Sequence, residues 1–325
     1  MKVLVVSPRL AERLAEMLPN QIEIVHPERG TDDELIDLAS DVEVIVSTRL
    51  STEVARAAKR LKLLQKTGAG ADAMPFNALD VDVYVANTSG ANPVPLAEGA
   101  VALLLSLAKR VVQRNNEFLR KRGVGPGVLL KGKTVGILGL GSIGTEVAKR
   151  LQAFDMKILA LKRTPDEELK GRLNLEFLGG PEDLRHILSE SDFVVVTLPL
   201  TPETRGMIGE EELRLMKPTA YIVNVARAAI IQEQPLYRAL KEGRIAGAAL
   251  DVWWTPHWWD PVWNPEGRGP SDYPFWELPN VIATPHNIVS TDSRSDAALR
   301  IMAENITRIA EGKEPINQVD KKLQY

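Results

Sequence analysis

The run TVGILGLGSIG, residues 134–144, carries the clearest chemical signal in the chain. Gly139, Gly141 and Gly144 stand at G-x-G-x-x-G spacing, after an apolar, strand-like run and before residues that favour a helix. Glycine at these places allows a tight turn, close approach of the backbone to a pyrophosphate, and close packing of helix against strand. The helix N-terminus would meet the phosphates with its own N–H groups, so Ser142 and Ile143 join the glycines as cofactor-binding candidates. Val147, Leu151 and Phe154 are spaced to face a sheet, and 157–161 completes a strand–helix–strand unit of about 30 residues. Dinucleotide binding is the expectation; a glycine-rich turn without a ligand is the plain alternative.

At the end of that second strand a carboxylate would accept from a ribose 2′-hydroxyl and repel a 2′-phosphate. The chain has Lys162, Arg163 and Thr164 there. Two cations and a hydroxyl do the reverse, so NADP is expected over NAD. A solvated basic strand end is the structural alternative.

Two more side chains have the right type for chemistry but little local context. Arg227 follows a predicted strand in VNVARAAI, and His286 follows a strand and a proline in ATPH. An Arg fork grips carboxylates and a His moves protons, yet the first is often a surface charge and the second often structural. Of the four histidines, His26, His186 and His257 lack such a setting. A third oddity is LDVWWTPHWWDPVW, 250–263. All six tryptophans fall between positions 253 and 276 of a chain that is only 5% aromatic. Aromatic surface on such a proline-broken loop is usually buried, against a neighbouring subunit or the opposite domain. A satellite core within the loop is the alternative.

These residues need a scaffold, and its elements are legible. Short β-branched runs at 2–6, 22–25, 43–47 and 61–65 alternate with helix-forming segments such as 31–39 and 52–60, with Thr31 and Ser51 or Thr52 as N-caps. A helical stretch is expected over 95–121. From Lys133 the alternation restarts, with strands expected in TVGIL, KILAL, FVVVT, YIVNV, AALDV and VIATP, and the tail from about 291 forms one helix ending near Gly312. Alternation of this kind predicts α/β domains with parallel sheets. At 325 residues there is room for two.

Composition excludes several functions. The chain is 44% hydrophobic and 26% charged, with a net charge of −3, which offers nothing to draw nucleic acid or an anionic membrane. It has no cysteine, so thiolate metal sites, cysteine nucleophiles and disulfides are out, and no metal is expected. The apolar run AVALLLSLA from Ala100 is about half a bilayer span, and MKVLVVSPRL lacks the apolar core of a signal peptide. A cytoplasmic protein is expected.

Taken in order, TGAGAD (67–72), the N-x-x-x-x-A-E pattern from Asn92 to Glu98, GLGSIG, TLPLTPETRGMIG (197–209), VNVARAAI (223–230), GAALDVW (247–253) and TPH (284–286) resemble the D-isomer-specific 2-hydroxyacid dehydrogenase family nearly end to end. The resemblance implies two Rossmann-like or flavodoxin-like domains with the active site in the cleft between them. A substrate domain would be built from 1–98 plus 289–325, and an inserted NAD(P)-binding domain from 99–288. It also implies that Arg227 binds a substrate carboxylate and polarises its carbonyl, and that His286 is the general acid/base. Backbone amides at Ala69 and Gly70 would hold the substrate carboxylate. Asn92 matches an active-site Asn, although an Asn there equally caps a turn. Leu198, Pro199, Val225 and Ala226 fall in cofactor-lining motifs. Asp251 matches the residue that bonds the nicotinamide amide, a structural strand-end Asp being the alternative. Trp253 and Trp254 would wall the nicotinamide and substrate pocket, and Glu98 is expected to serve the helix start or link domains rather than catalyse.

In one place the chain departs from the family. A glutamate that hydrogen-bonds the catalytic His is expected where this sequence has Pro256, and Asp260 is the nearest substitute. Without that carboxylate a histidine is expected to titrate near or below its unperturbed ~6.5. The implied activity is hydride transfer between NADPH and a small 2-keto or 2-hydroxy acid such as glyoxylate or hydroxypyruvate, in a homodimer. Formate-dehydrogenase-like hydride abstraction, or a nucleotide-sensing binding protein with vestigial catalysis, are the alternatives.

Overall fold

The computed structural model describes residues 1–123, 125–255, 258, 264, 266–291 and 296–325. The chain divides into two compact units, residues 1–92 with 293–325, and residues 93–292. Both are α/β units built on wholly parallel sheets.

In the first unit the strands are β1 (Lys2–Val5), β2 (Glu23–Val25), β3 (Val44–Ser47), β4 (Leu63–Lys66) and β5 (Tyr84–Ala86), in spatial order β2-β1-β3-β4-β5. β3 and β4 are buried along their whole length, as a sheet covered on both faces requires. Strand periodicity sends Leu4, Ile45 and Leu64 to one face, with Leu35 of helix α2 (Asp32–Ala39) and Val54 of α3 (Thr52–Ala57). Val5, Val44 and Leu63 go to the other, against Leu14 of α1 (Pro8–Ala15) and Met302 and Ile306 of the C-terminal helix, Ala297–Ala310. Thr31 and Ser51 cap α2 and α3 by accepting from Glu34 and Val54 N–H, the caps expected from sequence. A buried polar link fastens the C-terminal helix to the sheet. The Asn305 amide donates to Gln65 Oε1 of β4 at 2.7 Å and accepts the Ile316 N–H at 2.7 Å.

The second unit begins with α4 (Pro93–Lys109) and α5 (Val111–Leu119), followed by β6 (Thr134–Leu138), α6 (Ser142–Gln152), β7 (Lys157–Leu161), α7 (Glu167–Arg172), β8 (Phe177–Gly179), α8 (Leu184–Glu190) and β9 (Phe193–Val196). It continues with α9 (Glu210–Leu215), β10 (Tyr221–Asn224), α10 (Glu233–Lys241), β11 (Gly247–Leu250) and β12 (Val281–Ala283). The sheet order is β12-β11-β10-β9-β6-β7-β8. Chain direction across the sheet therefore reverses between β6 and β9, and ligands of such sheets sit at the carboxyl ends of the strands flanking that reversal. α4 and α6 share one core with Val135, Ile137 and Val195 of the sheet. Among the described residues no helix is long and apolar enough to cross a membrane.

Three sequence expectations are corrected. The stretch 95–121 is two helices, because Arg110 adopts a left-handed conformation (φ 54°) that breaks the helix between α4 and α5. β5 and β8 were not expected. Both are three-residue edge strands, too short for a period-two pattern to stand out.

Candidate active site

The glycine turn follows β6 and opens α6, beside the reversal in strand order. Its three glycines do different jobs. Gly139 has φ 105°, and a Cβ there would lie 2.9 Å from the Leu198 nitrogen. A Cβ on Gly144 would collide with the Gly139 carbonyl oxygen. These two are required by the protein's own packing. Gly141 is not: a Cβ there would meet nothing within 4 Å, and it caps α6 without a side-chain hydrogen bond. It leaves an open approach to first-turn N–H groups at Ser142 and Ile143, which is what a pyrophosphate needs. The residues present thus fit a dinucleotide.

The loop after β9 closes over this turn. Thr197 Oγ1 donates to Gly139 O at 2.7 Å, bringing half-buried Leu198 and exposed Pro199 alongside. The hydroxyls of Thr201 and Thr204 each accept the other's backbone N–H, at 3.2 and 2.9 Å, and Thr204 Oγ1 donates to Pro199 O at 2.7 Å. On the other flank, after β7, Lys162 is half-buried and Arg163 and Thr164 are exposed. Arg163 forms an ion pair at 2.7 Å with Glu203, from the β9 loop. Sequence reading missed Glu203, because nothing in TPET announces a contact with a residue 40 positions earlier.

Arg227 stands just past β10. Asn224, fully buried at the end of that strand, accepts from Ala226 N–H (3.0 Å) and donates to Arg227 O (3.0 Å), fixing the turn of Val225, Ala226 and Arg227. The guanidinium of Arg227, half-buried, donates to Ala226 O at 2.8 Å. Asn224 lies inside the same VNVARAAI motif, but its role in holding the turn is visible only in three dimensions.

His286 is exposed and sits in a left-handed conformation, φ 56°, just past β12. Thr284 N–H pairs with Leu250 O of β11 at 3.0 Å, and Trp253 Nε1 donates to Thr284 O at 2.8 Å. Buried Asp251 accepts from the Thr284 hydroxyl at 2.7 Å and from the N–H groups of Asn287 and Ile288 at 3.2 and 3.3 Å. Ile288 packs on α4 where Gly99 has no side chain; a Cβ there would lie 2.5 Å from Ile288 Cγ1.

Of the two tryptophans expected to wall a pocket, Trp254 is half-buried and packs within its own unit. It stacks on fully buried Phe275 (5.2 Å, 11°), and its Nε1 donates to Ile231 O at 3.0 Å. Trp253 meets the same ring edge-on at 6.4 Å. This part of the tryptophan loop is a satellite core, joined by Tyr237 and Tyr273. Pro256, His257, Trp259, Asp260 and Trp263 lie outside the described residues. Glu98, in α4, pairs with Arg150 of α6 at 3.3 Å, a contact within the helices of one unit.

In the first unit the loop after β4 has its carbonyls tied back. Asn87 Nδ2 donates to Ala69 O at 2.8 Å, Thr88 Oγ1 to Thr67 O at 3.0 Å, and Thr88 N–H to Gly68 O at 3.2 Å. With those oxygens occupied, amides at exposed Ala69 and half-buried Gly70 are among the groups the loop can offer an anion. Asn87 and Thr88 also escaped sequence reading. Asn92, half-buried, immediately precedes α4.

Comparison with known proteins places this geometry. The sequence model for the D-isomer specific 2-hydroxyacid dehydrogenase NAD binding domain matches residues 101–287. The D-3-phosphoglycerate dehydrogenase of Methanocaldococcus jannaschii is 35% identical over 98% of this chain, which spans 59% of that relative's length. The glyoxylate reductase of Thermococcus litoralis is 36% identical over 91% of this chain and 88% of its own. A solved NADPH-dependent glyoxylate/hydroxypyruvate reductase from Sinorhizobium meliloti, in complex with NADP and malonate, aligns with a TM-score of 0.82 at 26% identity, covering 99% of this chain and 97% of that one. Together with the glycine turn, Arg227 and His286, these likenesses show that the chain belongs to the D-isomer specific 2-hydroxyacid dehydrogenase family.

Proposed function

We propose that the protein reduces a small 2-keto acid, such as glyoxylate or hydroxypyruvate, to its D-2-hydroxy acid with NADPH. The observation that carries this is the carboxyl edge of the seven-stranded sheet, where the open glycine turn, Arg227 and His286 follow β6, β10 and β12. When bound, the reduced nicotinamide supplies the hydride. Gly141, Ser142 and Ile143 hold the pyrophosphate by backbone N–H groups, and Leu198, Pro199, Val225 and Ala226 line the cofactor. Arg227 grips the substrate carboxylate in its planar fork and polarises the adjacent carbonyl. His286 donates a proton to the carbonyl oxygen as it gains charge. The N–H groups of Ala69 and Gly70 are assigned to a carboxylate, and Asn92 and Trp253 to substrate contacts. Residues 93–292 act as the nucleotide-binding unit.

NADP preference rests on Lys162, Arg163 and Thr164 in place of an acidic residue. A homodimer fits α5, none of whose nine residues is buried, with Phe118 and Leu119 on its exposed surface. The test is a panel of glyoxylate, hydroxypyruvate, 3-phosphoglycerate and formate, assayed with both cofactors in the appropriate direction. Turnover of a 2-keto acid with NADPH supports the reading. Formate oxidation alone, or no turnover with any substrate, overturns it.

A further inference from the structure

β12 is an edge strand of three residues, so the chain that leaves it toward His286 has a neighbouring strand on one side only, β11. Thr284 N–H donates to Leu250 O at 3.0 Å, and the Thr284 carbonyl is taken by a side chain: Trp253 Nε1 donates to it at 2.8 Å. That bond holds the plane of the Thr284–Pro285 peptide. Pro285 has a φ locked by its ring, so one soft torsion, the ψ of Pro285, separates the pinned peptide from the next, which delivers His286 at φ 56°. A residue with a Cβ keeps such a conformation only where its surroundings impose it.

Trp253 is itself held. It is half-buried, meets fully buried Phe275 edge-on at 6.4 Å, and shares that ring with Trp254. Trp254 makes a bond of the same kind, Nε1 to Ile231 O at 3.0 Å, but onto a segment that Ile208 also holds: Gln232 N–H donates to Ile208 O at 2.9 Å and Ile208 N–H to Ile230 O at 3.2 Å. Two indoles of one core thus make like bonds to different segments, and only one of those segments leads to His286.

We propose that Trp253 is a positioning residue for His286. Its indole N–H pins the Thr284 carbonyl and thereby fixes how the chain enters the turn that presents the imidazole. Phenylalanine, with a flat ring and no N–H, cannot fill that role. The role belongs to the N–H and stands beside any contact the ring makes with substrate. It rests on the reading of His286 as the proton donor.

The test compares Trp253→Phe, Trp254→Phe, His286→Gln and the double variant Trp253→Phe/His286→Gln with wild type. The imidazole proton resonance of His286, identified by its loss in His286→Gln, is followed by NMR, and kcat and KM are measured with glyoxylate and NADPH. Trp253→Phe should displace the His286 resonance and lower kcat about fivefold, the order of one lost hydrogen bond, with KM for glyoxylate roughly unchanged. Trp254→Phe, which removes a like bond from the same core, should leave the His286 resonance in place. In the His286→Gln background Trp253→Phe should cost nothing further, because a residue that acts through His286 then has nothing to position. If Trp253→Phe fails to fold, Trp253→Tyr, another flat ring without the indole N–H, is read in its place. An unmoved resonance with wild-type kcat in Trp253→Phe overturns the proposal. So does an equal displacement in Trp254→Phe, which would assign the effect to the core as a whole, and so does a full further fall in the double variant, which would make Trp253 a substrate contact alone. Wild-type turnover in His286→Gln would instead overturn the catalytic reading, and the resonance in Trp253→Phe would then decide by itself whether Trp253 sets the turn.

Discussion

The two turns to which the proposed function assigns chemistry are built in opposite ways. The glycine turn after β6 is specified by the absence of side chains: Gly139 and Gly144 make room for backbone, and Gly141 leaves space open. The His286 turn after β12 is specified by side chains converging from far apart in sequence, Asp251, Trp253 and Thr284, with a glycine on α4 making room for Ile288. A turn made by local backbone freedom tolerates changes elsewhere but almost none within itself. A turn made by distant contacts can be disturbed from several places without touching the residue it presents.

Breaking the second turn at its functional end should have the largest effect. His286→Gln should lower kcat/KM for glyoxylate reduction by about 10²–10⁴, the usual worth of a general acid, with NADPH affinity nearly unchanged. The phosphate turn should separate into its two kinds of glycine. Gly141→Ala should leave the melting temperature alone but weaken NADPH binding tenfold or more, that is by ~1.4 kcal/mol. Gly144→Ala should lower stability by about 1–3 kcal/mol, because backbone must move to admit the methyl. If both variants bound and melted alike, the division of labour among the glycines would be wrong.

Cofactor preference sharpens the contrast, since it joins a legible basic strand end to an illegible partner. Arg163→Ala should reduce the NADPH:NADH preference about tenfold, as a charge-assisted hydrogen bond contributes about 1.5–3 kcal/mol. Glu203→Gln should raise the preference a few-fold at most, because an exposed ion pair is worth no more than ~1 kcal/mol and its loss removes one contact that competes with phosphate for Arg163. No change in the ratio for Glu203→Gln would show that the pair does not compete with the cofactor.

The smallest effect belongs to a control far from chemistry. Glu34 gathers the N–H groups of Glu28, Arg29 and Gly30, the same device as Asp251 in a solvated place. Those bonds, Glu28's foremost, hold its carboxyl below the ordinary range. Its stabilising effect is therefore complete above that range and disappears as pH falls through its lowered value. Glu34→Gln should melt slightly below wild type at pH 7, the gap closing in acid, with activity untouched throughout. A gap that widened in acid would contradict the assignment.

What was legible in the sequence follows the same divide. Gly139, Gly141 and Gly144 lie within six residues, and the β-branched runs of β1, β3, β6 and β9 announce buried parallel strands without help from elsewhere. The family resemblance pointed to Arg227 and His286. It did not single out Asn224, which holds backbone only two and three residues on, nor Asn87 and Glu203, whose bonds reach 18 and 40 positions away. Trp254 shows the same limit: the resemblance made it a pocket wall, and its stacking on Phe275, 21 positions later, could not be read from the sequence. β5 and β8 escaped because an edge strand of three residues has too little pattern to recognise.

The link between Asn305 and Gln65 has a consequence for the growing chain. The second unit is continuous, whereas the first has its five strands complete by Ala86 but lacks one of the two helices that cover one face of its sheet until residues 297–310 emerge. Val319 N–H on Val85 O and Asn87 N–H on Asn317 O, at 2.7 and 3.1 Å, come later still. On a ribosome, the part made first must therefore wait with Val5, Val44 and Leu63 covered by α1 alone while the part made second has all it needs to fold.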